Sequence, residues 1–304
     1  MDAIQTALNS VIPTFLLIFT GALADKFFPK LDLGSLTKLS IYFLIPALIL
    51  NALAKTQLSF TDAGLLSLAY ILYLLVLGLI AYFATKGQTK TVAAAIIVSS
   101  LFGNTGNMGL PISQFAYGEA GLERAVVLLV VSLIIMFVVG PTVLSGKTDS
   151  IKKRFLAAIK LPPIWTSLVG IAINVLNIPI PQSIDRSINL LGSGAIPILL
   201  ISLGIQMKRS WTWKIDGSAL ATTGLRLLAG PVVAYFVAKL LGLAILDTKI
   251  LVLSATMPAA VTMFIVALEV KGAYETVAKS VVATTIASIF ALSAIIYFMD
   301  RFLL

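Results

Sequence analysis

Apolar stretches of about 20 residues recur along the whole 304-residue chain, the length a helix needs to cross a hydrocarbon layer. Ten can be marked, at 4–24, 34–54, 62–84, 90–117, 121–144, 162–178, 183–206, 217–241, 247–270 and 275–299. A bilayer offers backbone groups no hydrogen-bond partner, so such segments are restricted to helices. The expected fold is an all-α polytopic membrane protein. Composition agrees, since 59% of residues are hydrophobic and only 12% charged, about half the charge of a soluble domain.

The polar remainder excludes several function classes. No cysteine is present, so there is no disulfide framework and no thiolate chemistry. No histidine is present, which removes the usual proton carrier at neutral pH and the commonest metal ligand. The longest polar stretch, about Ser145 to Lys160, is too short for a soluble domain. The start, MDAIQTALNS, lacks a basic n-region, so no cleaved signal peptide is expected. The net charge of +9 reads as loop Lys and Arg holding topology, not as a nucleic-acid surface.

Loop charge sets the expected orientation. Lys26, Lys30, Lys86, Lys90, the basic residues of the 147–160 loop, Lys208, Arg209, Lys214, Lys271 and Lys279 share one side. Lys55, Arg124, Arg186, Lys239, Lys249 and Arg301 fall on the other. The richer side is expected to be cytoplasmic, with both termini outside the cell membrane.

Ten spans divide into 1–144, a cytoplasmic linker at 145–161, and 162–304. IYFLIPALILNALAK in the second segment resembles SGAIPILLISLGIQM in the seventh, so Pro46 matches Pro197. Gly118 after the fourth segment matches Gly272 after the ninth, and that offset sets Asn104 opposite Pro258. Five spans per half is an odd number, so the halves are expected as inverted repeats, a common plan of secondary transporters.

The fourth and ninth segments are interrupted. LFGNTGNMGLPIS, Leu101–Ser113, holds Gly103, Gly106, Gly109, Asn104, Asn107, Thr105 and Pro111 where a helix should run unbroken. Glycines three apart could form one packing face. Two asparagines in the same turn argue for more, because an unpaired amide in an apolar medium costs several kcal/mol. The ninth segment breaks in SATMPAAVTMFIVALE at Pro258, flanked by Ser254, Thr256 and Thr262. Alone it could be a proline kink patched by hydroxyls. Paired, the breaks are expected to cross at mid-membrane and to aim half-helix N-termini, with their free N–H groups and partial positive charge, at one anion. The C-terminal ends offer carbonyls that could coordinate sodium instead.

GNTGNMGLPIS followed by FAYGEAG, and MPAAV followed by ALEVKG, resemble the auxin efflux carrier family over essentially the whole chain. The resemblance implies a scaffold of spans 1, 2, 6 and 7. It also implies a transport domain of spans 3–5 and 8–10, with spans 4 and 9 crossing at the substrate, and bacterial members resemble permeases for malate or similar organic acids. By position it places Asn104, Asn107 and Pro258 at the crossover, and Asn51 where the scaffold faces substrate. Thr105, Gly106, Thr256 and Thr262 complete the candidate substrate contacts.

Arg226, about ten residues into the eighth segment, is the ninth candidate. A cation there costs roughly 2.5–3.5 kcal/mol on insertion scales. An anionic substrate, helix C-terminal carbonyls, or snorkelling to the cytoplasmic face could each account for it. Glu119, Glu123, Glu269 and Asp62 read as interfacial charges, and Trp211 and Trp213 as interface anchors. GPTVLSGKT at 140–148 misses the P-loop spacing by one residue and lies at a span exit, so it is not read as an ATP site.

The function that fits is a secondary transporter of small organic anions, working by alternating access with an elevator-like movement of the transport domain. A sodium-coupled symporter similar to the bile acid carriers, or a membrane sensor that binds without transport, are the alternatives. An enzyme is not expected, since no histidine, cysteine or paired deep aspartate is available. No cofactor is expected, and sodium coupling stays open. The partners are the anion and the lipid bilayer, with a homodimer left open and no nucleic acid.

Overall fold

A computed structural model describes residues 3–146, 151–209 and 215–303. The readings placed on Lys147, Thr148, Trp211, Trp213 and Lys214 lie outside the described residues. Twelve helices account for nearly all of the rest. They are α1 (Ala3–Phe27), α2 (Leu33–Ala54), α3 (Phe60–Ala84), α4 (Lys90–Leu101), α5 (Thr105–Ser145), α6 (Ile151–Ala158), α7 (Pro162–Val175), α8 (Gln182–Arg209), α9 (Gly217–Leu240), α10 (Ile245–Thr256), α11 (Val261–Glu269) and α12 (Tyr274–Phe302). Seven are long and apolar enough to cross a membrane, or eight if α6 and α7, bent by 61° at their junction, count as one. The two expected spans at 90–117 and 247–270 are not continuous helices. Each is divided, at Phe102–Asn104 and at Met257–Ala260.

Local chemistry explains the ends. Ser59 caps α3 by accepting the Asp62 N–H at 3.0 Å, and Asp62 takes the Ser59 hydroxyl in return. Thr89 caps α4 and Asp216 caps α9 in the same manner. Within α5, Gly118 takes φ +64°, ψ −157°, a backbone state open to glycine, and the helix kinks there.

Prolines shape the interiors. Three wide turns, Ser40–Leu44, Thr105–Gly109 and Leu225–Ala229, each begin six residues before a proline: Pro46, Pro111 and Pro231. Proline lacks an N–H and clashes with the carbonyl four residues earlier. Widening that turn to an i→i+5 bond lets the helix continue past it. Two of the three line the cavity described below, and the third carries Arg226.

A few aromatic residues are buried among the many small ones of the interior. Tyr70 and Tyr73 on α3 are fully buried, and the Tyr70 hydroxyl donates to Ser132 Oγ at 3.1 Å. Outward faces carry Phe19, Leu75, Leu79 and Phe290, each mostly exposed, as expected of helices that meet lipid. The chain is therefore a multi-span membrane protein. The helix α1 packs chiefly on α8, and α2 on α7 and α8. At the α1–α8 contact a Cβ on Gly21 would sit 2.1 Å from the Ile201 carbonyl oxygen, so glycine sets the approach. Around α4, α5, α10 and α11 pack α3, α9 and α12.

Candidate functional site

The two breaks hold each other. Past the end of α4, Phe102 is extended (φ −99°, ψ 104°), as is Met257 past the end of α10 (φ −62°, ψ 143°). Gly103 and Ala259 then pair as a short antiparallel bridge. Asn104 donates its N–H to the Pro258 carbonyl at 2.7 Å, and Ala260 donates to the Phe102 carbonyl at 2.9 Å. The Ala259 N–H goes to Thr284 Oγ1 on α12 at 3.0 Å. The extended residues of the two breaks thus bond to one another and to α12, as non-helical chain at membrane depth requires, while the helix starts beyond them keep free donors.

The C-terminal ends of α4 and α10 meet at Arg226. Its side chain is fully buried. Nε donates to the Met257 carbonyl at 2.7 Å and Nη2 to that of Ser254 at 2.9 Å. Nη1 lies 3.0 Å and 2.9 Å from the Ser100 and Leu101 carbonyls, and 2.9 Å from the Tyr73 hydroxyl. The Ser100, Leu101 and Met257 carbonyls are orphan acceptors of two helix ends, and that of Ser254 also takes the Met257 N–H; each end is the negative pole of its helix. Arg226 sits in the widened turn before Pro231, on the first position after Leu225. Of the sequence alternatives, helix carbonyls are its partners; it does not snorkel.

The N-terminal ends of α5 and α11 face the other way, onto a cavity of about 130 Å³. Gly103 to Asn107 and Ala260 to Thr262 form one wall. Gly106, Asn107, Val261 and Thr262 keep backbone N–H groups that no acceptor among the described residues takes. The Asn104 and Asn107 side-chain amides also make no hydrogen bond among the described residues. Thr37, Ser40, Ser202 and Gln206, from the start of α2 and the end of α8, line the opposite side. Leu129, Leu133, Met136 and Phe137 of α5 complete an apolar flank. Among the described residues no Lys, Arg, Asp or Glu lines this cavity. It is an uncharged chamber with two positive helix poles at one wall.

Five of the nine sequence candidates line the cavity: Asn104, Thr105, Gly106, Asn107 and Thr262. Pro258 contributes its carbonyl to the bridge and does not line the chamber. Thr256 is buried and bonds back to the Val252 carbonyl at 2.8 Å. Asn51 lies away from it and accepts from Lys55, which pairs with Asp185 at 2.6 Å. The glycines do not share one packing face. A Cβ on Gly103 would meet Arg226, one on Gly106 Leu129, and one on Gly109 the Thr105 side chain. Sequence reasoning missed Thr37, Ser40, Ser202 and Gln206; polar residues inside apolar segments were the available signal. It also missed two ion pairs between helix ends. Arg124 of α5 pairs with the buried Asp247 of α10, and Lys249 with Asp300 at 2.7 Å. Glu123 accepts the Thr56 hydroxyl at 2.6 Å, Glu119 accepts Gln114, and Asp62 is the cap partner already described.

Crossed broken helices that frame an uncharged chamber inside a multi-span bundle define a membrane transporter. The chain matches the family model described as "Membrane transport protein" over residues 6–296 and belongs to that family, the auxin efflux carriers. It is 27% identical over 306 residues to an "Uncharacterized transporter" of Methanothermobacter thermautotrophicus, covering 96% of this chain and 95% of the relative. It is 26% identical over 275 residues to an uncharacterized transporter of Methanocaldococcus jannaschii, covering 85% and 87%. A Rhizobium meliloti protein described as a "Putative malonate transporter" is 23% identical over 304 residues, covering 94% of each. Family and relatives are transporters, not enzymes.

Proposed function

We propose that this chain is a secondary transporter of small organic anions, carboxylates first among them. One observation carries the reading: among the described residues, four free backbone N–H groups and two unpartnered asparagine amides converge on a chamber that holds no fixed charge. Two helix N-termini favour a negative group, and neutral donors hold it without a permanent cation that would hinder release. The apolar flank from Leu129 to Phe137 suits the carbon body of such a solute. The relative described as a malonate transporter supports the carboxylate class.

In this reading α4 with the first part of α5, and α10 with α11, are the fourth and ninth of ten passes in two inverted halves. The mutual bridge between the breaks supports that pairing. The grouping of α1, α2, α7 and α8 against the remaining helices supports a scaffold and a moving domain, with the chamber between them. Its far wall, at Thr37, Ser40 and Gln206, lies toward the helix ends joined by the basic loops. We assign that side to the cytoplasm of a cell membrane, with both termini outside and this conformation inward-facing.

A thermal-shift screen of the purified protein against malonate, other dicarboxylates, monocarboxylates and amino acids tests the reading, because a ligand of the native state raises its apparent stability. Stabilisation by carboxylates that is lost in Asn107→Ala supports it. A screen in which only uncharged or cationic solutes stabilise would reject the anion site.

A further inference from the structure

The crossover separates its helix poles into two compartments. Two N-termini face the uncharged chamber, and two C-termini face Arg226. Each C-terminal pole is equivalent to about half a negative charge, and each N-terminal pole to about half a positive one. The guanidinium therefore balances the C-terminal pair with its single charge. The N-terminal pair is left to be balanced by whatever enters the chamber.

Carbonyls at broken helix ends are also what a coupling sodium ion uses in transporters of this general architecture. Here those oxygens are taken. The carbonyls of Ser100, Leu101, Ser254 and Met257 all accept from one side chain, held in a fixed planar fork. Arginine stays charged throughout the physiological range, and the peptide chain tethers it. Gly103 presses on the same group, since a Cβ there would lie 1.8 Å from Nη2.

We infer that Arg226 is a built-in counter-cation standing in the place of a coupling ion, so that transport proceeds without sodium. This rests on the anion-transport reading, and the test has an arm independent of it. Arg226 is a positioning residue here; it does not line the chamber.

The experiment compares wild type, Arg226→Ala and Arg226→Lys in sodium, potassium and choline chloride at equal ionic strength. It reads the thermal midpoint of the purified proteins and the uptake of radiolabelled malonate by proteoliposomes. For wild type both readouts should be the same in all three salts. Arg226→Lys keeps the charge but not the fork, and should show reduced, sodium-independent uptake. Arg226→Ala should have a lowered midpoint that rises with low-millimolar guanidinium but not with choline, a selectivity that loss of packing alone would not produce. A several-fold fall in wild-type uptake when potassium replaces sodium would overturn the inference. So would a wild-type midpoint raised specifically by sodium, or an Arg226→Ala midpoint indifferent to guanidinium. If Arg226→Ala does not fold, wild type and Arg226→Lys still decide. Absence of malonate uptake in every salt counts against the substrate reading alone, and the midpoints then settle the role of Arg226.

Discussion

Asn104 donates its backbone N–H to the carbonyl of Pro258 over 2.7 Å, joining the break in one half of the chain to the break in the other. The bond uses only backbone atoms, while the Asn104 side chain makes no hydrogen bond among the described residues. The two parts of this residue therefore do separable things. Asn104→Ala keeps the bridge and should leave the thermal midpoint near wild type while abolishing stabilisation by carboxylates. Asn104→Pro deletes the donor at a φ of −76° that proline tolerates. It leaves the buried Pro258 acceptor unpaired, at a cost of about 1–3 kcal/mol. Thermal melts of the two variants, with and without ligand, check the separation.

Gly103 and Gly106 should respond differently to the same added methyl. At Gly103 the new Cβ would lie 1.8 Å from Arg226 Nη2, and the guanidinium cannot swing away without abandoning four carbonyls. Gly103→Ala should cost about 1–3 kcal/mol, as overpacking does, and reduce uptake. At Gly106 the nearest atom is Leu129 Cδ1 at 3.5 Å, an ordinary contact. Gly106→Ala should fold like wild type. Denaturation midpoints of the pair test this contrast.

The Arg124–Asp247 pair offers a control away from the chamber. Asp247 is buried in the first turn of α10, with the Arg124 guanidinium against it. Arg124→Ala strands that carboxylate and should destabilise the protein by about 3–5 kcal/mol. The double variant Arg124→Met, Asp247→Leu should recover most of the loss, because it removes both charges. Stability of the single and double variants, measured together, checks the coupling.

Acid should weaken the cap of α9 in a defined window. Asp216 accepts from Lys279 Nζ at 2.8 Å and from the N–H groups of Ser218 and Ala219. The Lys279 ammonium first, then the Ser218 hydroxyl, hold its carboxyl down from 3.8 to about 2. A lowered folded-state pKa stabilises the fold fully above the unfolded value and loses that contribution as pH falls through the folded one. The midpoint difference between wild type and Asp216→Ala should thus be constant above about pH 5 and shrink from pH 4 toward pH 2, leaving only what the neutral cap still contributes. Melting curves across that range read it directly.

The breaks were legible because lipid makes them so expensive. LFGNTGNMGLPIS and Pro258 announce themselves against apolar neighbours, and their pairing follows from a matched offset. Asn104, Thr105, Gly106, Asn107 and Thr262 were within reach for that reason. Arg226 was visible as an anomaly, but its partners were not, since carbonyls of distant helix ends carry no sequence signature. Asn51 was placed by resemblance alone, and packing puts it beside Lys55 instead. Ser40 and Ser202, on the wall opposite the breaks, sit in apolar segments, where a lone hydroxyl commonly just bonds back to its own helix. The widened turns were not anticipated, since Pro46 entered only as a repeat match, Pro111 only as part of the break, and Pro231 not at all.

Transport of organic anions through the chamber at Asn107 is read by uptake of radiolabelled malonate and a panel of other carboxylates into sealed proteoliposomes, wild type against Asn107→Ala. Wild type should show saturable uptake of at least one carboxylate. Asn107→Ala should show only background uptake, with an unchanged thermal midpoint. Uptake by Asn107→Ala equal to wild type, or no carboxylate flux through folded wild-type protein, would contradict anion transport through this chamber.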